Sequence, residues 1–308
     1  MMMKKQLVGA KIIRDIQRSR QKYLIILPVL IYFALFHYKP MYGVIIAFKR
    51  FKPALGIWGS RWVGFDNFVR FFNDYFFFRL VRNTLTINFL NLLFCFPMPI
   101  VLALLLNEVK NMKFKRVVQT VTYMPHFIAM VIMCGMITGF CQTNGLINDI
   151  IEYLGGTRTN LLLKNKYFYP IYIISDIWKN IGWDSIIFLA ALAGIDQEQY
   201  EAAKVDGAGR IKQMLYITLP GLLPTISILL VLRVGTIMSL GYEKILLLYQ
   251  PVTYEVADVI STYVYRLGVM NGDYSYSTAV SLFNSVINII FLVTSNKISK
   301  KVGQSGLF

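Results

Sequence analysis

The chain has 308 residues, of which 56% are hydrophobic and 16% charged, with a mean hydropathy of +0.53 and a formal charge of +16. A soluble domain carries about 25% charged residues, so too little polar surface is left to cover a water-facing globule. The composition excludes disorder, a collagen-like repeat and a disulfide-rich secreted scaffold, and it reads as a membrane protein. The positive charge would suggest nucleic acid in a soluble chain. In one this apolar it belongs to membrane flanks, and no nucleic-acid partner is expected.

About 20 apolar residues are needed to cross the hydrocarbon core. Six stretches qualify, near 23–38, 84–107, 117–140, 168–191, 221–240 and 277–295. The sequence therefore predicts an all-α polytopic membrane protein with six transmembrane helices and both termini cytoplasmic. Segments 1–22 and 296–308 are the cytoplasmic ends, and 23–295 is the membrane domain. The first span follows a basic leader of Lys4, Lys5, Lys11, Arg14, Arg18, Arg20 and Lys22. No A-x-A-like cleavage site follows and Lys39-Pro40 closes the run, so an uncleaved span is expected rather than a removed signal. Basic residues are denser in the segments placed inside, as the positive-inside rule asks. The first external loop, 39–82, is the exception with eight of them. It ends in an aromatic-rich approach to the second span, "WVGFDNFVRFFNDYFFFRLVRNTL", which suits an interfacial belt or a docking ledge for an external partner.

The cysteines, Cys95, Cys134 and Cys141, lie in or beside apolar runs with no C-x-x-C spacing and no Cys/His cluster. They read as packing residues, with no metal site and no disulfide framework. His37 fits the membrane interface, and His126, beside Pro125, fits a hydrogen-bonded packing role.

The segment between the fourth and fifth spans, 194–220, is too polar for lipid and too long for a plain connection. Asp196 is a good N-cap and Gln199 can complete a capping box, which predicts a helix over 197–205. Gly207 and Gly209 supply a turn, an amphipathic stretch with Ile211, Leu215 and Thr218 on one side follows, and Pro220 suits the first turn of the next span. The small Ala202 and Ala203 let another surface approach closely. Glu201-Ala202-Ala203, then Gly207, Ile217 and Leu219-Pro220, at these intervals, resemble the EAA motif of the integral membrane subunits of binding-protein-dependent ABC importers. The stretch "YLIILPVLIYFALFHYKPMYGVIIAFKRF" further resembles oligosaccharide and polysaccharide-fragment permeases of the LplB type.

The resemblance implies a transport subunit of the cytoplasmic membrane of a prokaryote, not an enzyme on its own. It implies that Glu201, Ala202, Ala203 and Gly207 contact a separate ATPase subunit, with Ile217, Leu219 and Pro220 bracing this plug against the fifth span. The implied partners are a second permease, two ATPase subunits, an extracellular binding protein and a carbohydrate cargo. ATP and Mg would be bound by the ATPase. The chain itself has no G-x-x-x-x-G-K-[ST] phosphate loop and calls for no cofactor of its own. An ATPase-independent transporter, or the same role with a non-sugar cargo, is the alternative.

Polar groups inside a bilayer are costly and normally face the bundle interior or a wet cavity. In the fourth span, Asp176, Lys179, Asn180, Trp183 and Asp184 fall on one side of a helix. Thr84, Asn88 and Asn91 form a stripe on the second span, and Ser277, Ser281, Asn284 and Asn288 one on the sixth. Arg233 lies near the middle of the fifth with Thr236 one turn on. Together they suggest a shared path for a hydroxyl-rich substrate, with Trp183 as a ring face and Lys179 and Arg233 able to accommodate an acidic sugar. Structural roles compete with this reading: an Asp176–Lys179 pair along the helix, an Arg233–Asp184 pair between helices, and Asn/Ser stripes as interhelical glue. In the external segment 241–276, which the resemblance makes a gate region touching the binding protein, Glu243, Glu255 and Asp258 are expected to be exposed.

Overall fold

The computed structural model describes residues 19–301, 303, 306 and 307. Lys4, Lys5, Lys11, Arg14 and Arg18 of the leader lie outside the described residues, as does part of the tail. Five helical stretches are long and apolar enough to cross a membrane: α1 (Arg20–Phe48), α3 (Phe77–Glu108), Met130–Tyr153, α9 (Arg210–Gly235) and α12 (Tyr274–Lys301). The third of these turns at residues 142–145, so it comprises α5 (Met130–Cys141) and α6 (Leu146–Tyr153). A short helix, α2 (Asp66–Phe72), precedes α3, and α4 (Met112–Tyr123) follows it. Helix α7 (Asn165–Ala193) is long enough to span but carries Asp176, Lys179 and Asp184. Next come α8 (Gln197–Val205), then α10 (Tyr242–Leu248) and α11 (Ile260–Val264) between α9 and α12. A two-residue antiparallel hairpin pairs β1 (Lys49–Arg50) with β2 (Arg61–Trp62) just after α1.

Three prolines leave the same local mark. A π-turn spans Ala34–Tyr38, Asn91–Cys95 and Met214–Thr218, in each case ending two residues before a proline: Pro40, Pro97 and Pro220. Proline lacks an N–H, and its ring crowds the carbonyl four residues earlier. Widening the preceding turn relieves that clash while the helix continues. This is why the fifth predicted span, expected from 221, begins at Arg210 and runs through Pro220. It also ends early, at Gly235, with Thr236–Met238 in a turn.

The third predicted span, 117–140, is not one helix. Helix α4 stops at Tyr123, a 3-10 turn covers Met124–Phe127, and α5 starts at Met130. Pro125 lies within this turn and Ile128 and Ala129 are extended, so hydropathy continues across the break while the backbone does not.

Helix α7 is the axis of the molecule. It packs along the Pro97–Glu108 half of α3 and against α4 and α9, while α12 packs on α9 and on the Tyr42–Phe48 end of α1. One apolar cluster joins α5, α7 and α10 through Met133, Phe168, Tyr172 and Ile245. A second joins α2, α3, α11 and α12 through Phe71, Leu80, Ile260 and Tyr276. The third packs Ala103 of α3, Phe188 of α7 and Leu222 of α9. Phe71 is fully buried and rings with Phe72, Phe77 and Phe283, so part of the aromatic approach to α3 is core. Tyr75 and Phe78 stay exposed.

Over the N-terminal end of α3, Asp258 is fully buried rather than exposed, which corrects the expectation for that residue. Arg266 grips its carboxylate through two nitrogens, at 2.9 and 2.7 Å, and Arg79 approaches to 3.5 Å. A buried carboxylate needs such partners. Glu243 and Glu255 are exposed.

Candidate functional site

Between α3, α7 and α9 lies a cavity of about 510 Å³, walled by Cys95, Phe96 and Pro99, by Trp183, Asp184 and Ile187, and by Leu229, Arg233 and Thr236. Its polar side is Asp184, Arg233 and Thr236. Trp183 contributes an indole that is stacked on its far face by His126, with centroids 4.4 Å apart and planes 1° from parallel. The Arg233 guanidinium makes no hydrogen bond or ion pair among the described residues, so the expected Arg233–Asp184 pair is not formed. A cation on an apolar helix without a carboxylate partner leaves its donors directed at whatever fills the cavity.

The other polar residues of the spans are placed elsewhere. Asp176 pairs with Lys244 of α10 at 3.0 Å, not with Lys179, and Lys244 also donates to the Tyr172 carbonyl at 2.8 Å. Lys244 is 4% exposed, and the sequence reading missed it because α10 lies outside every predicted span. Lys179 is also buried and donates to carbonyls at the break between α4 and α5. Asn180 Oδ1 lies 3.2 Å from His126 Nδ1. Asn91 accepts from the Cys95 thiol at 3.2 Å, and Asn88 donates to the Thr84 carbonyl. Asn284 donates to the Met238 carbonyl, while Asn288 accepts from the Met238 N–H and donates to Ser239. These last two hold α12 to the turn that ends α9. Of the fourteen residues read as a path, the cavity gathers Trp183, Asp184, Arg233 and Thr236.

The 194–220 segment is a compact projection. Helix α8 is N-capped by Asp196, whose Oδ1 accepts from the Glu198 N–H at 3.0 Å; Gln199 does not close a capping box. Gly207 has φ 75°, a conformation only glycine enters without strain, whereas Gly209 is extended and supplies no left-handed turn. Tyr200 OH lies 3.0 Å from Thr218 Oγ1, and Gln213 donates to the Ala208 carbonyl. Ile195 fills the space that a side chain at position 221 would need. The bracing therefore runs through Tyr200, Thr218 and Ile195, with Ile217 and Leu219 half-buried and Pro220 exposed. Glu201, Ala202 and Gly207 are exposed and Ala203 half-buried. Val205 is 88%, Tyr216 77% and Ile211 70% exposed, an apolar set with no covering among the described residues.

The chain belongs to the family of binding-protein-dependent transport system inner membrane components, whose profile matches residues 95–304. Among its relatives, protein LplB of Bacillus subtilis is 49% identical over 95% of this chain and 92% of its own length. The polygalacturonan/rhamnogalacturonan transport system permease protein YteP of the same organism is 46% identical over 94% and 91%. A chain of a bacterial alginate ABC transporter, solved in complex with an alginate pentasaccharide-bound periplasmic protein, superposes with a TM-score of 0.88 at 44% identity, covering 96% of this chain and 99% of that one.

Proposed function

We propose that this chain is a permease subunit of an ABC importer for oligosaccharides or polysaccharide fragments, and that its cargo is acidic. The observation that carries the cargo is the Arg233 guanidinium, without an ion-pair partner among the described residues, in the wall of a cavity that is also lined by Trp183, Asp184 and Thr236. A guanidinium matches a carboxylate in two parallel bonds, an indole face suits a sugar ring, and Asp184 and Thr236 suit its hydroxyls. Relatives named for polygalacturonan and alginate, both uronate polymers, support the same class.

In this reading α7 is a sixth span, its charged groups tolerated because protein and cavity surround them, and both termini are cytoplasmic. A second permease completes the path, and an external binding protein delivers the cargo to the outer face. Two ATPase subunits, which bind ATP and Mg, seat the plug of Glu201, Ala202, Ala203 and Gly207. The exposed Val205, Ile211 and Tyr216 support such a seat, since apolar surface of this kind marks a contact. The setting is the cytoplasmic membrane of a prokaryote, and the chain has no catalytic role of its own.

Uptake of an oligogalacturonide and of a neutral maltooligosaccharide by cells carrying the whole importer tests the cargo. Arg233→Met is expected to lower uptake of the acidic saccharide by about tenfold or more, the scale of one charge-assisted contact, and to leave the neutral one unchanged or improved. Equal effects on both would refute the charge reading.

A further inference from the structure

The break between α4 and α5 is held by α7 at four successive points. The Lys179 ammonium donates to the His126 carbonyl at 3.0 Å and to the Ile128 carbonyl, and reaches that of Pro125 at 3.5 Å. Asn180 meets the His126 ring, Gly182 lies against the Thr122 backbone, and Trp183 stacks on His126. A Cβ at position 182 would fall 2.2 Å from the Thr122 carbonyl oxygen, so only glycine permits this approach.

The chemistry at the break is well matched. Between α4 and α5 the Pro125 carbonyl accepts from the Ile128 N–H at 3.2 Å, while those of His126 and Ile128 lie outside any α-helical ladder, and a low-dielectric interior makes an orphan carbonyl costly. An ammonium has three donors and no acceptor, and three carbonyls converge on it. Lys179 is 7% exposed and has no carboxylate within ion-pair distance among the described residues. The carbonyl end of α4, with its partial negative charge, supplies the balancing field. The lysine is thus committed to the backbone, with nothing left to offer a cargo.

We propose that Lys179 is a positioning residue of the cavity: by capping the α4–α5 break it fixes His126, and through the His126 stack it fixes the Trp183 indole that walls the cavity. The link to transport rests on reading that cavity as the saccharide path; the link between Lys179 and the break does not.

The test uses the complete importer, co-expressed with its partner subunits, in nanodiscs for hydrogen exchange and in cells for uptake. In Lys179→Met, amides across residues 122–132 are expected to exchange about tenfold faster or more, with α12 unchanged. Uptake of the oligogalacturonide and of the neutral maltooligosaccharide falls in the same proportion, in contrast to Arg233→Met. Lys179→Arg, which restores donors to the carbonyls, recovers both readouts. Where the methionine variant fails to insert, Lys179→Gln, which keeps an amide donor, is expected to show intermediate exchange. Unchanged exchange in 122–132 overturns the proposal, as does faster exchange with normal uptake. Loss confined to the acidic saccharide also overturns it, because Lys179 would then meet the cargo itself. If the unsubstituted importer takes up neither saccharide, the cargo reading fails and the exchange arm alone decides the role of Lys179.

Discussion

At the scale of single residues, charge placement in this chain follows partners that are remote in sequence. Asp74, between α2 and α3, accepts the phenolic O–H groups of Tyr263 and, at 2.7 Å, of Tyr276, and its Oδ1 accepts the Phe76 N–H. Burial pushes its carboxyl up, but these donors and the nearby Arg70 more than offset that and hold it below the usual value. The same contact pushes the Tyr263 phenol up to about 12, through burial first and then through the bond to Asp74. The signs are opposite. Asp74 adds stability above the free carboxyl value of about 3.9, and this is lost as the pH falls through its lowered folded value. Tyr263 adds stability below the free phenol value of about 10, lost as the pH rises through about 12. Thermal melts of the purified protein are expected to show a plateau between these limits, and Asp74→Asn to weaken the acid-side dependence. An unaltered acid limb in that variant would show that Asp74 is not the group concerned. None of this was legible from the residues, because tyrosines 189 and 202 positions away announce nothing at Asp74. Lys179, Asp176 and Arg233 show the same limit: helical periodicity placed them on polar faces, but it could not say which faces meet a backbone, a lysine or a cavity.

At the scale of elements, the sequence was most informative where the chemistry is local. The α8 helix falls at Gln197–Val205, as its N-cap and the glycine turn predicted, because capping and positive φ are decided within a few residues. The break at Pro125 and the helical run through Pro220 were not, because one proline stops a helix and another is accommodated by a wider turn, and neighbours decide which. Gly207 lies in the left-handed region, where proline's fixed φ of about −65° cannot go, and nothing lies within 4 Å of the space beside it. Gly207→Pro should therefore distort the turn, and it also removes the N–H that donates to the Lys204 carbonyl at 3.1 Å, while Glu201→Lys should reverse a charge on an exposed face without touching the fold. Both are expected to abolish uptake while the protein still inserts, as read by membrane fractionation beside transport. Normal uptake in both variants would refute the assignment of this projection to ATPase contact.

At the scale of the whole molecule, the apolar runs gave the helical class and the position of most rods but not their ends, since burial in lipid is written into composition. The packing of those rods around α7 was not written there, because every lipid-facing and core-facing position is equally apolar. Residues 20–41 of α1 contain no buried residue, which fits a helix surrounded by lipid or by another subunit. Purification of the tagged chain in mild detergent is expected to bring down an ABC ATPase and a second membrane subunit. Recovery of the chain alone, with all neighbouring genes expressed, would favour a stand-alone transporter. One feature of the fold ties two of its helices together. Helix α8 is joined to α7 by the three residues Gly194–Asp196, and Ile195 is seated on Gly221 of α9, so both rods share one foot. Asp184 lies ten residues from Gly194 and Arg233 lies thirteen from Pro220, lever arms of roughly 15 and 20 Å at the helical rise. A tilt of about 10° at that foot displaces either group by roughly 3 Å, which is the length of a hydrogen bond. A modest rocking at the base is thus large enough to make or break every polar contact a guest has with these two walls.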